Sequence, residues 1–368
     1  LKNAFLIGLL LSFTALQCFA QSFSIQELIK LSEIYPEEAL EKVEQQLLLP
    51  HISASEKAML QSLKADVAYY VDQPDLILGA SEQALASGLL NEHWQVKTLI
   101  TKARGHFQMK ENKLFLNTAN DAVFKSDRYD LTVLKAASVI ERANANALFK
   151  NFTESKDDLT LANRYLKALP DSFTKGVMQE RYSAALRLLS RFEEAIESQH
   201  TAIEIFKKVK SVHFLAISYY NLGRVYDASG DIENAIKNME LSYQWAKEDN
   251  NKLNQAFSLS RLAEYQLKLN QVSKAEITLN EALRVADESP SFRVQFLARK
   301  DLALLTCTKT YESPCQNALK AAITFAEKFK MTADQRDLLK RLAQAYFHQE
   351  RHELAYKTLK KATDISDN

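Results

Sequence analysis

The stretch Tyr220-Asn221-Leu222-Gly223-Arg224-Val225-Tyr226, followed by Gly230-Asp231 and then Ala235-Ile236, decides the fold. It reads as one helix, a turn at Gly230-Asp231, and a second helix opening at Ala235-Ile236. Stepping by 40 from Gly223 reaches Ala263, Ala303 and Ala343 downstream and Ser183, Ala143 and Ala103 upstream, and a step of 38 reaches Ala65. All eight are small. Nineteen residues after each stands Ala84, Ala122, Ala162, Ala202, Ser242, Ala282, Ala322 or Ala362, again Ala or Ser without exception. Two such columns require close approach of neighbouring backbones, because helices packed about 8 to 10 Å apart tolerate only small side chains at the contact.

Composition agrees with an all-helical chain. Of 368 residues only 7 are Gly and 6 Pro, which excludes nucleotide-binding and hydrolase folds built on glycine-rich loops and implies few tight loops. With 47 Lys and Arg against 46 Asp and Glu the net charge is +1, so the overall basic excess of a nucleic-acid-binding surface is missing. Hydrophobic residues at 46% and charged residues at 25% are those of an ordered globular chain. Turns are signalled at Asp72-Gln73-Pro74, Asn270-Gln271, Pro170-Asp171, Asn250-Asn251 and Ser289-Pro290. Tyr182, Leu222, Leu262, Leu302 and Leu342 precede the small position and are expected to fill the space between helices. Lys64, Lys102 and Arg142 occupy that place in the earlier repeats.

The residues around Gly223 resemble the tetratricopeptide repeat, in which helix A carries Leu-Gly-x-x-Tyr and helix B opens with an Ala-rich face. The resemblance implies a right-handed superhelical solenoid of antiparallel hairpins. Residues 21–57 are read as an N-terminal capping hairpin, and residues 58–368 as eight repeats of about 40 residues in one continuous array. No capping helix follows helix B of the last repeat before Asn368, so an end-to-end dimer or a further C-terminal domain is expected to cover that face.

Residues 1–20 read as a secretory signal peptide. Lys2 is followed by an apolar run from Ala4 to Leu16, and Cys18-Phe19-Ala20 offers small residues three and one before a cut. An uncleaved anchor and lipid attachment at Cys18 are the alternatives. Export, with the bacterial periplasm as destination, makes a bond between Cys307 and Cys315 plausible in an oxidising compartment. The pair falls near the end of one helix A and the start of its helix B, and two buried thiols or a redox role are the other readings.

No phosphate-binding loop, nucleophile elbow or His-Glu-x-x-His motif occurs, so neither a catalytic centre nor a cofactor or metal is expected. His348 and His352 straddle a turn rather than sharing a helix, and the acid pairs Glu193-Glu194 and Asp157-Asp158 read as solvated surface. In tetratricopeptide proteins the ligand groove is lined by helix A, at six and three residues before the small column and one, four and five after it. The resemblance therefore implies Lys97, Ile100, Arg104 and Phe107, then Asn144, then Glu180 and Arg187, then Tyr220, Arg224 and Asp227. Arg and Asn along a groove suit a peptide carboxylate, since Arg offers a two-pronged donor. The same arginines would equally serve to pair with neighbouring acids.

Two functions follow as expectations. The first is a non-catalytic interaction or sensory module binding a peptide, protein or small ligand, similar to the periplasmic sensor regions of bacterial diguanylate cyclase-type signalling proteins. The second is a free-standing periplasmic adaptor or assembly factor. Neither involves nucleic acid or a membrane span in the mature chain.

Overall fold

The computed structural model describes residues 23–329 and 331–365, so the expected leader lies outside the described residues. Among these residues there are eighteen helices and no strand. They fall into two compact units divided between Leu131 and Thr132. The first holds α1 (Ile25–Ser32), α2 (Pro36–Leu47), α3 (Ala54–Tyr70), α4 (Pro74–Ala86), α5 (Glu92–Gln108) and α6 (Asn112–Arg128). The second opens with α7 (Thr132–Leu148), α8 (Phe152–Ala168), α9 (Phe173–Leu188), α10 (Phe192–Lys208), α11 (Val212–Ser229) and α12 (Ile232–Glu248). It continues with α13 (Lys252–Lys268), α14 (Val272–Asp287), α15 (Phe292–Lys309), α16 (Ser313–Lys328), α17 (Thr332–His348) and α18 (His352–Asp364).

From α3 onward the odd-numbered helices carry the first small column and the even-numbered ones the second. All sixteen small residues are buried. Within each unit a helix packs on the next in sequence, and alternate odd helices also touch, as α7 does α9 and α13 does α15. The result is a layer of A helices against a layer of B helices. In the second unit a third small column, twelve residues after the first, supplies the other side of the contact: Ser155, Ala195, Ala235, Ala275, Cys315 and Ala355 are all buried, whereas the first unit has Ile77 and Phe115 there. At Gly223 the approach is close, for an added Cβ would stand 2.7 Å from Met239 Cε and 3.1 Å from the Ala235 carbonyl oxygen.

The shortage of Gly and Pro does not remove tight turns. Asp72, Lys110, Asp130, Lys150, Ser190, Lys210, Asn250, Asn270 and Glu350 all take left-handed backbone, with φ between 52° and 61°. They stand at the ends of helices, and each following amide reaches back to a carbonyl in the last turn, as Asp231 does to Tyr226 at 2.9 Å across Gly230 and Asn251 does to Ala246 at 2.9 Å. This hydrogen-bonded helix ending ordinarily recruits glycine. Here Asn and Asp tolerate it, while Lys, Ser and Glu accept a conformation that costs roughly 1 to 2 kcal/mol. Glycine takes left-handed backbone at Gly230, φ 89°, and at Gly88 after α4, φ 66°.

The basic residues in place of Leu have acidic partners. Lys64 pairs with Glu44 at 2.8 Å and Lys102 with Glu82 at 3.2 Å. Arg142 grips Asp158 through Nε at 2.9 Å and Nη2 at 2.5 Å. Asp158 is thus 5% exposed and not on a solvated face as its sequence neighbourhood suggested. Cys307 and Cys315 form a disulfide with Cα atoms 4.7 Å apart, closing the α15–α16 hairpin. A loop this short contributes about 2 to 3 kcal/mol on the chain-entropy account.

The glycines separate packing from propensity. Gly79 lies inside α4 with nothing within 4 Å of an added Cβ. Gly79→Ala should raise stability by about 1 kcal/mol through helix propensity alone. Gly223→Leu should lower it by about 2 to 3 kcal/mol, because the Ala235 carbonyl is backbone and cannot swing aside. Urea denaturation of both variants checks this; equal effects would mean that the small column is not a close contact.

Candidate functional site

The A helices carry the groove positions, and the two units treat them differently. In the first unit Lys97 of α5 bonds Asp66 at 3.0 Å and lies over the Trp94 ring, while Thr101 donates to Asp66 at 3.0 Å. Arg104 is only 5% exposed, its guanidinium 5.2 Å from the centre of the Tyr69 ring. Phe107 packs on Phe115. Burial pushes the neighbouring Tyr70 hydroxyl well up, with the Asp66 charge acting in the same direction. The polar contacts among these knit α3 to α5, two consecutive A helices.

In the second unit the groove begins the same way. Asn144 is 2% exposed and donates to the carbonyls of Ile140 and Arg181 at 2.9 and 3.0 Å, joining α7 to α9. Arg181 in turn holds Glu141 through Nε at 3.0 Å and Nη2 at 2.6 Å, a buried pair 40 residues apart. Glu180 accepts from Ser218 Oγ at 2.6 Å and from Gln199 Nε2 at 3.5 Å. Burial, opposed by these hydrogen bonds, pushes its carboxyl up to about 7.

Further along the pairing stops. Arg187 of α9 and Arg224 of α11 make no hydrogen bond or ion pair among the described residues, although Arg224 lies over the Tyr220 ring at 5.9 Å. Burial first, then the facing Arg224, pulls Arg187 down to about 10, and Arg261 of α13 adds to the repulsion. Three guanidiniums from consecutive A helices are therefore gathered. Asp227, the acid that would neutralise them, is bonded to Lys268. The Tyr265 hydroxyl beneath is buried without a protein partner. Tyr220 packs with Leu262 and Tyr265 as part of the floor.

The same positional rule, carried past Asp227, yields Ser260, Glu264 and Leu267 on α13, Leu304 and Cys307 on α15, and Gln344 on α17. All six line a cavity of about 490 Å³. Two positions before the small column, Asp301 and Arg341 join them. The signal for these residues was present in the sequence, as a continuation of the columns through three more repeats. Among the described residues no cluster of three or more His, Cys, Asp or Glu is placed to hold a metal, and no helix is long and apolar enough to cross a membrane.

The tetratricopeptide repeat family matches residues 176–248 and again residues 339–368. Those two stretches are tetratricopeptide repeats. None of the curated proteins matches the chain. Among solved structures, this repeat protein resembles a Rap protein complexed with competence and sporulation factor, at 16% identity and TM-score 0.60, over 92% of this chain and 95% of that one. It also resembles the apo quorum sensor NprR from B. thuringiensis, at 12% identity and TM-score 0.55, over 90% and 93%. A signal-transduction ATPase from Pyrococcus horikoshii with a tetratricopeptide repeat sensor aligns at 14% identity and TM-score 0.59, over 90% of this chain and 53% of that one. At such identities the likeness shows the shared helical solenoid fold.

Glu180 gives the second unit a pH signature. Below about pH 7 the folded chain keeps a proton that the unfolded chain releases near 4.5, so stability falls as pH rises between those values. The loss should reach roughly 3 kcal/mol between pH 5 and 8. Asp301, which burial pushes up to about 6, contributes with the same sign. Glu180→Gln keeps an acceptor for Ser218 and should remove most of the slope, read by urea denaturation at pH 5, 6, 7 and 8. An unchanged slope would place the titration elsewhere.

Proposed function

We propose that the second unit is a non-catalytic receptor surface for a peptide or protein segment, and that Arg187, Arg224 and Arg261 receive a carboxylate of that ligand. The gathering of three guanidiniums with two left unpaired is the observation that carries this reading. Like charges brought together at a part-buried place are unfavourable unless an anion joins them. A carboxylate does so with two parallel hydrogen bonds per guanidinium, worth roughly 1.5 to 3 kcal/mol for each charged contact. The tetratricopeptide repeats at residues 176–248 and 339–368 support the reading, since stacked helical repeats present extended binding surfaces. Two structural neighbours point the same way: one Rap protein holds competence and sporulation factor, and NprR is a quorum sensor.

For the biological setting we propose export to the bacterial periplasm, on the strength of the leader-like residues 1–20, and a sensory role in signalling. A periplasmic adaptor is the second reading. It is favoured if the natively expressed chain is recovered as a soluble periplasmic species of 41.8 kDa less its leader, whereas a much larger membrane-bound species favours the sensor.

The groove reading is tested with immobilised protein and a peptide library prepared with free or amidated C-termini. Wild type should retain free-acid peptides, with amidation weakening binding at least tenfold. Arg187→Glu/Arg224→Glu should lose that difference while keeping its helical circular dichroism. Arg104 is left intact, because in the first unit it is packed against Tyr69. Unchanged capture by the double variant would place the site elsewhere.

A further inference from the structure

The cavity between α13, α15 and α17 has a chemistry of its own. Its walls are apolar where Leu267, Leu279, Leu304 and Leu305 face it, and polar at Ser260 and Asp301. Ser260 is 4% exposed, and its Oγ is buried with no hydrogen-bond partner in the protein. Asp301, part-buried on α15, makes no hydrogen bond or ion pair among the described residues. Buried polar groups are ordinarily satisfied; the Ser260 hydroxyl is one that is not, and with the unpaired, part-buried Asp301 carboxylate in the same wall it makes a demand for a donor.

The surrounding charges do not meet that demand. Lys300, beside Asp301 in sequence, is turned toward Asp334 at 3.6 Å and lies over the Phe296 ring. Arg261 is engaged by Glu264 of the same helix, and Glu264 also stands 3.6 Å from Lys268. Arg341 reaches the cavity from α17 but is exposed, where water and salt screen it.

We infer that this cavity is the specificity pocket for a lysine or arginine side chain of the bound peptide, its aliphatic stem against the four leucines and its cationic head on Asp301 and Ser260. Long basic side chains combine these two characters in one group, an apolar stem and a multiply donating head. At about 490 Å³ the space falls within the range of small-ligand pockets, roughly 300 to 1,000 Å³. Burial outweighs the attraction of Lys300 and Arg261 and raises the proton affinity of Asp301, which a bound cation would reverse. Arginines upstream and a carboxylate downstream make the groove bipolar, which orients an extended ligand as well as selecting it.

The inference rests on the groove reading above, and one library distinguishes their failures. Random free-acid decapeptides are captured on the full chain and on Asp301→Asn and Asp301→Lys, and the bound pools are sequenced. Wild type should enrich Lys or Arg at one position, and replacing that residue by norleucine should weaken binding at least tenfold. Asp301→Asn should abolish the enrichment while sensitivity to C-terminal amidation persists. Asp301→Lys should shift the selected residue to Asp or Glu, a change of preference that a merely misfolded variant cannot show. Retention of peptides with no basic preference, or a preference untouched by both variants, would overturn the pocket and leave the groove standing. Failure of wild type to retain any peptide would overturn both.

Discussion

The contact between helix backbones at the small columns is the constraint from which the rest follows. Sixteen Ala, Ser and Gly positions are buried where A and B helices meet, and at Gly223 the partner is a carbonyl oxygen rather than a movable side chain. Backbones that touch fix the rotation of each helix about its own axis. Residues three before and one or four after the column must then share one face. The groove is a consequence of this geometry.

That face carries two kinds of polar residue. Where neighbouring repeats supply opposite charge at matching positions, the side chains neutralise one another, as Glu141 and Arg181 do across 40 residues and Lys97 and Asp66 do in the first unit. A buried pair of this kind adds little net stability but punishes the loss of one partner, so it fixes register. Where neighbours supply like charge, as Arg187 and Arg224 do, the guanidiniums stay without an ion pair, while Arg261 beside them is engaged by Glu264 of its own helix. Ser260, beside Arg261 on α13, and Asp301 on the next A helix leave the opposite demand.

Much of the fold was legible because its signal is periodic. The small columns, the turn at Gly230-Asp231 and the hairpin placement of Cys307 and Cys315 all come from residue size and spacing, properties that local sequence carries. The turns were harder. Those at Asp72, Asn250 and Asn270 were signalled, yet Lys110, Lys150 and Glu350 carry no turn chemistry and take left-handed backbone because the carbonyls behind them demand donors. Partnership was not legible at all: Asn144 and Arg187 occupy related groove positions, but one is bonded to two carbonyls and the other is not. Which acid meets which base depends on side chains brought together across repeats, and Asp158 was misplaced for that reason. The cavity residues past Asp227 were within reach of the same spacing.

The measurement that bears most directly on the account is site-specific photo-crosslinking in the native host, with benzoylphenylalanine at one position at a time. Tyr220 and Gln344 represent the A-helix face, while Ile277 on α14, 72% exposed, and Leu241 on α12 represent the B-helix face. The account predicts that one ligand-dependent adduct forms from both A-face positions, competes with the selected free-acid peptide, and is missing from both B-face positions. Adducts confined to Ile277 and Leu241, with Tyr220 and Gln344 silent, would contradict it.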